Sequence, residues 1–292
     1  MKEKMPFMKP LKKALSAVIC LCLLLSLLGC DSNIITSEYP VNFGGQRFEV
    51  APNNILCLSR QIFMAADYLG YSDRCLFGDY GTDDDPDYDA ILNAAPEVVI
   101  TANDFIFSQK ERFDNAGIKI CKQPLPQTLE EYKNFLIQLG AFFGGNKTGK
   151  EVAQKVVNDI TESVTNVKDF VNTKPNVSYL VFYEEGKCAA KGDYLIDLLE
   201  NCGLNGYSNQ DYFTDDQKVI SANPQVIICT NALKDYFKQE QFAPCEFYKN
   251  NAVYVLDISE ATSMGANTLT SIYKLFEQMY QDFLNEGKKD EV

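Results

Sequence analysis

The sequence predicts an α/β fold of two similar lobes, each built on a mostly parallel sheet, joined by one long helix. Three observations carry that prediction: strand-like and helix-like runs alternate in both halves, one phrase recurs in both, and an amphipathic stretch of helical period lies between them. In the first half Asn54-Ile55-Leu56-Cys57-Leu58 reads as a buried strand, Ile62 to Leu69 as a helix stopped by Gly70, and Cys75-Leu76-Phe77 as a second strand. Ala90 to Ala95 follows as a helix ended at Pro96, then strand Val98-Val99-Ile100, a helix from Ser108 to Asn115 stopped by Gly117, and strand Ile118-Lys119-Ile120. Such alternation implies parallel strands covered on both faces.

The second half repeats the pattern. Val177 to Tyr183, Val226-Ile227-Ile228 and Val253 to Leu256 read as strands, with helices at Tyr194 to Asn201, closed by Gly203, and Lys218 to Ala222. Ile91 to Asn103 matches Val219 to Asn231 without a gap, with helix, Pro, strand and terminal Asn in register. One repeated unit points to two similar lobes rather than to a solenoid, which needs three or more. Between them Thr148 to Val171 sets Val152, Val156, Ile160, Val164, Val167 and Val171 on one face, a helix of roughly 35 Å. A rigid strut of this kind leaves a largely pre-formed cleft between the lobes, with ligand expected beyond the carboxyl ends of the strands.

Residues 1–29 read as an export signal: a basic start at Lys2, Lys4, Lys9, Lys12 and Lys13, an apolar run from Ala14 to Leu28, and small Gly29. The run is short for a membrane span. Leu27-Leu28-Gly29-Cys30 resembles the bacterial lipobox, which implies lipidation of Cys30 and attachment of the mature chain to the outer face of the cell membrane. The expected divisions are 1–29 signal, 30–38 tether, 39–145 first lobe, 146–173 linking helix, 174–284 second lobe and 285–292 charged tail. Residues 1–29 hold five Lys and one Glu, so the remainder has 22 basic and 39 acidic residues and a formal net charge of −17. That surface excludes nucleic acid and anionic lipid headgroups as expected partners.

Seven cysteines follow Cys30, with no CxxC spacing, and the chain has no His. Cys57, Cys121 and Cys229 sit in strand-like runs and read as small buried hydrophobes, and no resident metal site is expected. Absence of His also removes Ser-His and Cys-His nucleophile pairs, and Gly144 to Lys150 lacks the Ser or Thr of a phosphate-binding loop, so an enzyme is not expected. Asp83-Asp84-Asp85 and Asp87 read as a solvated loop, lacking the Gly and Glu of a calcium loop.

Tyr39-Pro40-Val41 with Gly45-Gln46-Arg47, Leu58-Ser59, Leu69-Gly70-Tyr71-Ser72-Asp73-Arg74, Ala94-Ala95-Pro96-Glu97-Val98-Val99-Ile100, Leu139-Gly140, Leu199-Glu200-Asn201-Cys202-Gly203-Leu204 and Asn223-Pro224-Gln225-Val226-Ile227-Ile228 occur in an order that, with the lipobox, is specific. From roughly Tyr39 to Tyr280 the chain resembles the helical-backbone (class III) substrate-binding proteins of ABC importers. The resemblance implies a monomer with no cofactor of its own, which captures a ferric siderophore, haem or cobalamin-type ligand, itself a metal chelate, and presents it to a permease dimer. Residues just past the strand ends are then expected to line the cleft: Ser59, Arg60, Gln61, Asp79, Tyr80, Asn103, Asp104 and Phe105, with Tyr183, Lys191, Asp193, Tyr194, Asn231, Ser259 and Met264 from the second lobe. Arg60 suits an anionic group by bidentate hydrogen bonds, or else pairs at the surface with Asp79 or Asp104; Tyr80, Tyr183 and Tyr194 suit stacking or phenolate ligation, or simple packing. The family's permease-docking carboxylates map to Asp89 and Gln217, and Asp215 and Asp216 beside the latter offer the missing charge. A surface adhesion module and a hydrolase on the same frame are the alternative readings.

Overall fold

A computed structural model describes residues 38–286 except Ser208 and Phe213. The signal segment and Cys30 therefore lie outside the described residues, as does the tail beyond 286. A short hairpin, β1 (Val41–Phe43) and β2 (Gln46–Phe48), precedes the first lobe. Then come β3 (Ile55–Cys57), α1 (Arg60–Tyr68), β4 (Cys75–Leu76), α2 (Tyr88–Ala94), β5 (Val98–Thr101), α3 (Lys110–Asn115) and β6 (Lys119–Lys122). These strands form an all-parallel sheet in the order β4-β3-β5-β6. Its faces are separately buried: Ile55, Cys57, Val98 and Ile100 join the main core, while Leu56, Leu58, Val99 and Ile120 pack with Ile91 and Phe113 under α2 and α3. Alternate side chains of a strand point to opposite faces, so an uninterrupted apolar run is what a sheet covered on both sides requires.

The long helix expected between the lobes is present, and a second helix packs along it. The chain runs through α4 (Leu129–Gly144), turns at Gly145–Gly149, where Gly145 has φ +91°, and continues into α5 (Lys150–Asn172). The turn folds α4 back on α5, because a Cβ on Gly140 would stand 2.5 Å from the Gly149 carbonyl and 2.7 Å from Ala153 Cβ. This close approach shifts the buried stripe of α5 by one residue at its start. Ala153 and Val157 are buried, while Val152 and Val156 are only half-buried; from Ile160 through Val164, Val167 and Val171 the expected face is the observed one. At its other end α4 donates the Leu129 backbone N–H to Asp197 of the second lobe at 2.7 Å.

The second lobe comprises β7 (Tyr179–Glu184), β8 (Lys187–Cys188), α6 (Tyr194–Asn201), α7 (Asp216–Ala222), β9 (Val226–Cys229), α8 (Glu246–Lys249), β10 (Val253–Val255), α9 (Ile258–Ala261) and α10 (Thr268–Glu286). Its sheet runs β10-β9-β7-β8, parallel except for β8. The main core passes without a break from the first sheet through α4 and α5 to the second, and the described residues belong to one compact unit. Among the described residues no helix is long and apolar enough to cross a membrane. The seven described cysteines are all free thiols, six of them buried. No group of three or more Cys, Asp or Glu side chains suited to a metal ion occurs among the described residues.

Candidate functional site

The carboxyl ends of β3, β4 and β5 open into one groove of about 530 Å³. Four chain segments make its wall: Leu58 to Gln61 after β3, Phe77 with Gly78 and Gly81 to Asp84 after β4, Ala102 with Asn103 after β5, and Leu125 after β6. Ser59 holds the extended conformation that starts α1, and its hydroxyl donates to Gln61 Oε1 at 3.0 Å. Arg60 is therefore the first helical residue, and its side chain, 49 % exposed, reaches the other lobe. Its Nη1 donates to Ser259 Oγ at 2.5 Å and its Nη2 lies 3.9 Å from the Glu260 carboxylate. The expected partners Asp79 and Asp104 are not used: Asp104 takes Lys122 at 2.5 Å, and Asp79 is exposed.

The acidic segment is a built element rather than a free loop. Asp83 Oδ1 accepts from both the Thr101 hydroxyl and the Ala102 N–H at 2.8 Å, and Asp84 Oδ1 accepts from Asn103 Nδ2 at 2.7 Å. Asp87 caps α2 by accepting from the Ala90 N–H. A turn at Gly81, with φ +79°, makes this possible, because a Cβ there would run into the Asp85 carbonyl. The strap thus ties the loop after β4 to the carboxyl end of β5, with two carboxylates on the groove wall. Phe77, 40 % exposed, stacks on Phe63 at 4.8 Å and 12°, giving the wall an apolar platform.

Of the expected residues, Ser59, Arg60, Gln61 and Asn103 line this groove, and Ser259 meets it through Arg60. Tyr80 instead packs against the core under α2, and Phe105 is exposed, with its N–H donated to Asn103 Oδ1 and its carbonyl accepting from the Tyr88 hydroxyl. Tyr194 and Met264 are corrections: they are 7 % and 3 % exposed and belong to the main core. Tyr194 begins α6 on its buried face against Tyr132, and Met264 sits in a left-handed turn whose carbonyl accepts from the Tyr132 hydroxyl. Tyr183 and Asn231 stand at the carboxyl ends of β7 and β9, with Lys191 and Asp193 in the loop before α6; Asp193 caps that helix. Burial first and Asp193 second push the Tyr183 phenol well above its ordinary range, and burial does the same at Tyr194, so both stay protonated at neutral pH. Sequence reasoning missed Phe77 because it assigned that residue to the strand, and missed Asp83 and Asp84 because three consecutive Asp residues look solvated.

At the outer helix starts, Asp89 is 81 % exposed and pairs with Arg112 at 2.6 Å. In the second lobe Asp215 caps α7, Asp216 accepts from the Tyr236 hydroxyl and Gln241, and Gln217 is exposed.

The sequence profile of the periplasmic binding protein family matches residues 78–259. No curated protein matches the chain. Among solved structures, a possible iron-binding (periplasmic solute-binding) protein from Staphylococcus epidermidis superimposes with a TM-score of 0.66 at 13 % identity, covering 79 % of this chain and 100 % of that one. The periplasmic vitamin B12 binding protein of Vibrio cholerae gives 0.63 at 15 %, over 79 % and 98 %. The triscatecholate siderophore binding protein of Bacillus subtilis, complexed with ferri-bacillibactin, gives 0.62 at 16 %, over 82 % and 98 %. Relatives this distant share the fold.

Proposed function

Because this chain belongs to the periplasmic binding protein family, we propose that it is the solute-binding component of an ABC importer, anchored by lipid on Cys30 at the extracytoplasmic face. Its cargo is a metal chelate or corrinoid, captured as a small molecule and handed to a permease without chemical change. The observation that carries the reading is the groove of about 530 Å³ at the carboxyl ends of β3, β4 and β5, the place where α/β sheets bind ligands and a volume suited to a compact chelate. Arg60, Gln61, Phe77 and Asn103 are its contact residues, and Tyr183, Lys191 and Asn231 supply the facing lobe. The iron-, siderophore- and vitamin B12-binding proteins named above support this cargo class by fold alone.

Thermal denaturation of the purified protein against ferric siderophores, haem, cobalamin and free metal ions tests the reading. A cargo at 100 times its dissociation constant stabilises by about 2.7 kcal/mol, a shift of several degrees. A shift with one chelate supports the proposal, and no shift across the panel contradicts it. Lipid attachment is tested separately: detergent extraction of the protein should become unnecessary in Cys30→Ala. A second reading, a surface-binding module without a permease, is favoured by one observation. Asp216 is engaged by Tyr236 and Gln241 beside a neutral Gln217, which leaves Asp89 as the more open docking charge. Co-purification of a permease with the protein decides between the two.

A further inference from the structure

We infer that the groove selects a cargo without net negative charge and with a flat apolar face, an inference that rests on the cargo-binding reading above. The charged groups on the groove wall are Arg60, Asp83 and Asp84. The one cation is partly answered before cargo arrives, since its guanidinium donates to Ser259 and faces Glu260 at 3.9 Å. Lys122, the last residue of β6 and level with Thr101 of β5, is held by Asp104 at 2.5 Å. On the first lobe and its contact with Ser259 and Glu260, two cations, Arg60 and Lys122, stand against four carboxylates, Asp83, Asp84, Asp104 and Glu260, and Lys191 with Asp193 adds one charge of each sign on the facing lobe, so the balance stays negative.

The two groove carboxylates are also fixed in place. Asp83 is bonded to Thr101 and Ala102, and Asp84 to Asn103, so neither can swing away from an incoming anion without giving up a hydrogen bond. A ferric tris-catecholate carries three negative charges and meets this wall with like charge, which lowers both its encounter rate and its affinity. A ferric tris-hydroxamate, neutral or cationic, and a corrinoid without net charge meet no such penalty. Phe77, exposed over Phe63, favours cargo that offers a flat apolar surface.

The test is an equilibrium titration of the purified protein with cobalamin, a ferric tris-hydroxamate and a ferric tris-catecholate, repeated at high salt and on Asp84→Asn. Expected is at least tenfold tighter binding of an uncharged or cationic probe than of the tris-catecholate. The gap should narrow severalfold both in Asp84→Asn and at high salt, where exposed charges are screened. Equal or tighter binding of the tris-catecholate overturns the inference and leaves the cargo-binding reading standing. So does a gap unmoved by salt and by Asp84→Asn. Binding of none of the probes overturns the reading itself, and the inference with it.

Discussion

Asp83 and Arg60 both carry charge on the groove wall, yet their surroundings assign them different work. Thr101 is fully buried, and its hydroxyl and the half-buried Ala102 N–H both donate to Asp83, so Asp83→Ala leaves the Ala102 N–H unmatched and the Thr101 hydroxyl with only the Asn103 carbonyl at 3.2 Å. A loss of about 1–2 kcal/mol in urea denaturation is expected. Arg60→Ala breaks a pair that is half exposed on one side, and should change stability by less than about 1 kcal/mol. Equal losses in the two variants would refute the strap. The buried thiols, together with buried tyrosines such as Tyr280, limit the fold at alkaline pH. Burial pushes Cys121, Cys202 and Cys229 from an ordinary 9.0 up to about 12. A raised thiol holds its proton in the folded state while the unfolded chain releases it, so this stabilisation is complete below pH 9.0 and is lost as pH rises toward about 12. Stability measured across that window should fall steadily, and a thiol-reactive disulfide at neutral pH should modify Cys75 ahead of the six buried thiols. Ser59, Arg60, Gln61 and Asn103 were legible because a strand's end fixes where the next residues point. Tyr194 and Met264 were not, since helix phase and a left-handed turn decide their burial and neither leaves a trace in local composition.

The repeated phrase proves to be a repeated element. Asp87 and Asp215 cap α2 and α7 by the same bond to the third following N–H, and both helices end in a left-handed residue, Ala95 at φ 46° and Asn223 at φ 44°. Each then leads through Pro into a fully buried four-residue strand. Asn tolerates the left-handed region and Ala does not, so Ala95→Gly is expected to raise stability by about 0.5–1 kcal/mol. Asn223→Gly should lower it, because Asn223 Oδ1 also accepts the Glu246 N–H at 2.8 Å. Melting curves of the two variants moving in the same direction would contradict this account. The strand and helix series of both lobes was readable from apolar runs and Gly or Pro stops. The longest elements not anticipated were α4 and the closing α10; α4 is apolar on most sides, with Leu136, Leu139, Phe142 and Phe143 all buried, and so lacks the one-sided pattern by which α5 announced itself. Gly140→Ala tests the α4 to α5 crossing, where overpacking should cost about 1–3 kcal/mol by thermal or urea unfolding.

At the scale of the whole molecule, a single core runs from one sheet through the α4 and α5 pair to the other, and Arg60 spans the lobes above it. A strut of two packed helices resists bending more than the one helix expected, so cargo should enter a cleft already formed. Small-angle X-ray scattering of free and loaded protein should superimpose, with backbone shifts of about 1 Å or less at the groove. A clear contraction on loading would mean that the lobes hinge. The central claim is that the groove holds the cargo, and a crystal structure of the protein with its most stabilising chelate tests it most directly. The account predicts one cargo molecule against Phe77 and Asn103, within reach of Arg60. Cargo seated instead in the groove of about 410 Å³ lined by Lys234, Tyr254 and Gln278, at the outer edge of the second sheet, would contradict it.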